Sequence, residues 1–157
     1  NEIDFGFATQ YKSFSDLVYY PIFNEKIWLI TSPEHHFANK EQVKIEELTD
    51  VDFIHYHSDT ELRRLIDSYL LEKDIKLKIA YDGLEINSII GLVASNMGVA
   101  LVPESVIKNV NNITMIPISD FHASRTIYFI HKKEGYLSKA AMFFKNFILS
   151  YHKKNHV

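Results

Sequence analysis

Three short polar groups stand where an open α/β fold would hold a ligand. Thr9 and Gln10 follow the β-prone stretch 3–8, His57, Ser58 and Thr60 precede one helix, and Asn87 and Ser88 begin another. Ligands of such folds seat where strand carboxyl ends meet helix amino ends. The free N–H groups at a helix start favour a carboxylate or another anion. A carboxylate held between two helix starts and hydroxyl donors is therefore physically reasonable. No arginine lies in these segments, so they show no bidentate carboxylate clamp. Ser58, Asp59 and Thr60 also read as an N-cap cluster, Asn87 and Ser88 as simple caps, and Thr9 as an ordinary strand end.

Eight histidines raise the question of a metal. His55 and His57 share one strand face, whereas His35, His36, His122 and His131 are scattered. Zinc needs three or four converging ligands and an ordered outer shell. The spacing supplies two, so no metal site and no cofactor is expected. Catalytic patterns are missing as well: there is no nucleophile elbow, no HExxH helix and no phosphate-binding glycine loop. The five glycines are not clustered. Glu46 and Glu47 are adjacent, and adjacent helical residues do not share a face. No catalytic residue is assigned, and the chain is expected not to be an enzyme.

Composition narrows the classes further. With 157 residues the chain can build one good core or two small lobes. The net charge of −3 argues against a nucleic-acid surface, which normally needs a basic excess. The absence of cysteine excludes disulfides and thiol-based metal or redox sites. No apolar run approaches the roughly 18 residues of a membrane span, so no membrane partner is expected. The chain begins at Asn1 without methionine and reads as a fragment.

The elements that would position the polar groups follow from periodicity. Strands are expected at 3–8, 26–31, 53–56, 77–81, 114–116 and 126–130, where apolar and β-branched residues run or alternate. A helix after Thr60 packs through Leu62, Leu65, Ile66, Tyr69 and Leu70. The stretch 43–48 is a short amphipathic helical turn. Segment 85–106 carries the densest information. Ile86, Ile89, Ile90, Val93, Ala94 and Met97 form one helical face, and Gly98 offers a left-handed C-cap. Val99 to Val102 is a buried strand, and Pro103 starts a second helix. The chain closes with an amphipathic helix from Ser138 that packs through Ala141, Phe144, Phe147, Ile148 and Tyr151. Alternating strands and helices imply mostly parallel sheets flanked by helices. Tyr11, Tyr19 and Tyr20 fall in expected loops.

Several segments, in order, resemble the effector-binding domain of LysR-type transcriptional regulators. They are Asn1 to Ala8, Glu25 to Ile30 with the following Ser32-Pro33-Glu34-His35-His36-Phe37-Ala38, Val43 to Leu48, and Gly98-Val99-Ala100-Leu101-Val102-Pro103. Nothing matches the family's winged helix-turn-helix, and the first strand-helix-strand-helix of the effector domain is also unmatched. The resemblance implies an α/β, two-lobed, type 2 periplasmic-binding-protein-like domain whose first lobe is incomplete. Lobe I is expected over 1–34 and 122–157, and lobe II over 35–121. The chain would cross between lobes at 32–38 and 118–125, with hinges near Pro33 and Ser119. Strand 3–8, missing its usual neighbour, would present an unpaired edge.

The resemblance further implies a small-molecule effector, a small organic anion or an amino acid, bound between the lobes. Its contacts would come from Thr9, Gln10, Ser32, His57, Ser58, Thr60, Asn87 and Ser88. The domain would form a homo-oligomer, work in the cytoplasm, and meet DNA only through the missing N-terminal domain. A solute-binding protein of a transport system is the alternative reading.

Overall fold

The computed structural model describes residues 3–9, 14–108 and 110–155, the side chains of 153–155 excepted. The chain forms two units, one of Asn1–Asn24 with Thr126–Val157 and the other of Glu25–Arg125. It passes between them at 24/25 and 125/126, so segments 25–34 and 122–125, expected in the first lobe, pack in the second unit. The reason lies in β2 (Leu17–Thr31), one 15-residue strand where the sequence suggested a loop and a shorter strand. Pro21 lies exposed within it. The polar stretch 32–38 is therefore a turn inside the second unit, and Pro33 and Ser119 both lie away from the crossings.

In the first unit, β1 (Phe5–Thr9) runs antiparallel to β7 (Ser124–Lys132), with Phe5 opposite His131 and Thr9 opposite Ile127. Phe129 is fully buried, and Phe5, Phe7, Tyr20 and Phe144 surround it with ring centroids 5.1–6.4 Å away. Such aromatic pairs add to plain area burial. Tyr19 and Tyr20 sit in β2, not in a loop, where they pack against Tyr128 and His131. The closing helix α3 (Lys139–Asn155) buries Ala141, but Phe147 and Tyr151 of its expected apolar face stay more than half exposed.

The second unit holds most of the core. The later part of β2 pairs antiparallel with both β5 (Ala100–Pro103) and β6 (Thr114–Ile116), with Leu29 opposite Leu101 and Ile116. β3 (Asp52–Tyr56) runs parallel to β4 (Lys78–Gly83), and a parallel bridge from Phe53 to Val99 ties β3 to the strand entering β5. The sheets are thus mixed, not mostly parallel: the long β2 brings antiparallel partners that a strict strand–helix alternation does not supply. Helices α1 (Glu61–Glu72) and α2 (Ile86–Ala94) cover this framework through Ile66, Ile89 and Val93, each fully buried.

Two local expectations change. Residues Ile45–Asp50 form a 3-10 helix, and only one such turn (Glu104–Val106) follows Pro103. The left-handed residue after α2 is Asn96 (φ 58°), whereas Gly98 has φ +155°. Gly98 answers a different need, because a Cβ there would lie 2.6 Å from the Asp52 carbonyl oxygen.

Candidate ligand site at the strand carboxyl ends

The β3–β4 pair places two helix starts side by side. Tyr56 is opposite Gly83 at the ends of the two strands, and His57 N–H donates to the Gly83 carbonyl at 2.9 Å. The turn 57–60 and the residues opening α2 therefore share one end of the unit. Thr60 closes α1: its Oγ1 accepts from Arg63 N–H at 3.2 Å and donates to the His57 carbonyl at 2.8 Å. The cap fixes the turn that presents His57, whose side chain is 40% exposed and whose Nδ1 accepts weakly from Asp59 N–H at 3.4 Å. Replacing Thr60 with alanine is expected to cost about 1 kcal/mol of stability in urea unfolding. No side-chain cap closes α2, whose residue before the first turn is Glu85, and Asn87 and Ser88 are exposed beside that start. Of the two helix starts, α2 is the better seat for an anion.

The remaining sequence candidates fall elsewhere. Thr9 ends β1 in the first unit, and Gln10 and Tyr11 lie outside the described residues. Ser32 is at the opposite end of α2 from Asn87. It is buried, donating to Asn96 Oδ1 at 3.0 Å and accepting from Glu34 N–H at 3.1 Å. It borders a polar crevice of about 460 Å³ with Glu34, Ser95, Asn96 and Asn112. A nine-residue helix, roughly 13 Å long, separates that crevice from the α2 start.

Sequence reasoning overlooked a buried ionic cluster at the carboxyl ends. Ile54 N–H donates to the Val99 carbonyl, so β3 and β5 finish together at Tyr56 and Pro103. Ile27 pairs with Pro103, which brings Glu25 to the same end. Glu25 is 5% exposed, and its two oxygens accept from Arg125 Nε at 2.5 Å and from Ser105 N–H at 3.1 Å. Burial pushes the Glu25 carboxyl up, but the hydrogen bonds from Ser105 and Arg125 outweigh it and hold the group below its ordinary range. Tyr56, 3% exposed, lies within the field of this pair, and no described residue meets its hydroxyl. Burial pushes the Tyr56 phenol well up. Glu25 and Arg125 are one hundred residues apart, so no local pattern announces them.

A second, part-buried network links β3 to α1. His55 is 1% exposed; its Nε2 lies 3.0 Å from Asp67 Oδ1, and its Nδ1 accepts from Tyr56 N–H at 2.9 Å. Arg63 Nε donates to the other Asp67 oxygen at 2.6 Å, and its Nη1 donates to the Tyr56 carbonyl at 3.0 Å. Burial, reinforced by the Arg63 charge and opposed by Asp67, lowers His55 to a pKa of about 4. His55 is thus a neutral strut and does not share a site with His57. Among the described residues no three potential metal ligands converge. The network borders an apolar cavity of about 480 Å³ lined by Leu70, Leu71, Ile75, Leu77 and Ile79.

Comparison with known proteins gives these features a context. The family model described as "LysR substrate binding domain" matches residues 1–153. The "Probable RuBisCO transcriptional regulator" of Phaeodactylum tricornutum is 32% identical over 124 residues, covering 75% of this chain and 40% of that protein. The "Uncharacterized HTH-type transcriptional regulator YbhD" of Escherichia coli is 30% identical over 143 residues, covering 90% of this chain and 45% of that one. The chain thus spans less than half the length of these two relatives. Among solved structures, the effector binding domain of QuiR in complex with shikimate superposes with a TM-score of 0.89 at 25% identity, covering 99% of this chain and 75% of that one.

Proposed function

The chain belongs to the LysR substrate binding domain family, and on that premise we propose that it senses a small metabolite for a DNA-bound regulator. The observation that carries this reading is the pairing of two helix starts at the ends of β3 and β4, joined by the His57–Gly83 hydrogen bond. His57, Ser58, Thr60, Asn87 and Ser88 supply the polar contacts of the second unit; in the first unit Thr9 is the candidate to test, and Gln10 lies outside the described residues. Ser32, committed to Asn96 at the other end of α2, has no part in that set. The effector shifts the domain only as far as it binds two arrangements differently. The crossings 24/25 and 125/126, where β2 and β7 pass from one unit to the other, are the hinge candidates.

DNA contact belongs to a part of the regulator outside this chain, whose net charge of −3 suits no phosphate surface. The domain works as a homo-oligomer in the cytoplasm and turns nothing over. The related regulators favour this over a solute-binding role in transport. Among the described residues, no helix is long and apolar enough to cross a membrane.

A thermal-shift screen against small organic acids, amino acids and inorganic anions tests the proposal. An effector raises the melting temperature with concentration, as mass action requires. Thr9→Val then weakens that effector several-fold while leaving the fold intact. A screen without any concentration-dependent shift counts against a small-molecule sensor, and unchanged affinity in Thr9→Val removes Thr9 from the site.

A further inference from the structure

We infer that the effector presents a carboxylate or a phosphate group, received by the Tyr56 hydroxyl and the terminal Nη groups of Arg125. This rests on the sensor reading above and names the ligand chemistry of the same end of the second unit. Tyr56 is 97% buried, and no described residue meets its hydroxyl. A buried hydroxyl without a hydrogen bond is costly, and native structures rarely leave one without a reason. The strand register brings Glu25, and with it Arg125, to the end of the unit where Tyr56 lies, and the Arg125 charge acts on the Tyr56 hydroxyl. Arg125 Nε is taken by Glu25, and no described residue engages its Nη groups. The side chain is 22% exposed, so a solute can reach it.

Glu25 is the positioning residue. With one oxygen on Arg125 Nε and the other on Ser105 N–H, it fixes the guanidinium fork in one orientation. The planar fork leaves its Nη hydrogens as donors, and the Tyr56 hydroxyl supplies one more. Several donors with no competing acceptor call for a group that only accepts, which a carboxylate or a phosphate oxygen does. Both carboxylates near Tyr56 are already engaged, Glu25 as above and Asp67 by Arg63 and His55. Since Glu25 offsets the Arg125 charge, recognition works through directed N–H and O–H bonds more than through net field.

The test is calorimetric titration of the chain with shikimate, its methyl ester and inorganic phosphate, repeated on Tyr56→Phe and Arg125→Lys. Shikimate or phosphate is expected to bind, and which of the two does so assigns carboxylate or phosphate. Tyr56→Phe weakens the bound anion about 5–10-fold, and Arg125→Lys, which keeps the charge and loses the fork, by about 10-fold or more. Without ligand, Tyr56→Phe melts at the same temperature or ~2–4 °C higher, because it deletes a polar atom that has no partner. An affinity unchanged within about twofold in both variants overturns the inference. So does failure of every anion to bind at about 10 mM. If the methyl ester binds as well as shikimate and neither substitution matters, the anion inference falls while the sensor reading stands.

Discussion

Gly98→Ala is expected to cost about 3–5 kcal/mol, a large part of the stability of a domain this size. Two effects add. At φ +155° the backbone sits in a region that L-residues reach only under strain, costing about 1–3 kcal/mol. The new Cβ would also stand 2.6 Å from the Asp52 carbonyl oxygen, which is backbone and cannot swing aside. That oxygen accepts from Val99 N–H at 3.0 Å, so relieving the clash pulls apart the bridge joining β3 to the strand entering β5. The damage reaches the rim where Tyr56 and Pro103 end together. Gly91 is the control: it lies inside α2, and a Cβ there meets nothing within 4 Å. Gly91→Ala is expected to stabilise by about 0.5–1 kcal/mol through helix propensity and a less free unfolded chain. Urea unfolding of both variants decides the point. A Gly98→Ala protein as stable as wild type would show that close approach of the backbone is not what this glycine permits.

What the sequence made legible was local. The face Ile86, Ile89, Ile90 and Val93 specified α2, and the apolar run after Gly98 specified β5, because both signals live within a dozen residues. The same holds for Thr60, whose cap is a three-residue event. Long-range pairing was not legible. Nothing in the residues around Pro21 announces that β2 runs unbroken for 15 residues, and that continuity moves the crossings to 24/25 and 125/126. The strand directions depend on it too, since β2 is what makes β5 and β6 antiparallel neighbours. The same distance hid the rim cluster. Arg125 read as part of a polar connection and Glu25 as the lead-in to a strand, and only folding joins them through one carboxylate. His55 and His57 show the opposite failure: a spacing of two suggests a shared face, but β3 ends at Tyr56, so one ring is buried against Asp67 and the other is part-exposed beyond the strand.

The buried His55 gives the domain a pH dependence whose sign is fixed by its environment. Its folded pKa of about 4 lies below the ordinary 6.5 because burial disfavours the imidazolium, with Arg63 adding repulsion and Asp67 only partly compensating. The unfolded chain therefore takes up the proton first as pH falls. The stabilisation is fully present above about pH 6.5, declines through the window from 6.5 to 4, and is exhausted below it. A shift of this size corresponds to about 3 kcal/mol across the window. His35, lowered by burial and by its neighbour His36, acts in the same direction, while Glu25 and Glu47, both held low, lose their contributions only at more acid pH. The difference between wild type and His55→Gln isolates the His55 part. In urea unfolding followed from pH 7.5 to 4.5, wild type is expected to lose markedly more stability than His55→Gln, whose curve is shallower by about 2–3 kcal/mol. Arg63→Gln, which removes the repulsion, should raise the folded pKa and narrow the window, a change a merely looser core would not produce. Parallel curves for wild type and His55→Gln would mean that His55 titrates in the fold as it does in the unfolded chain, with Asp67 offsetting the whole cost of burial.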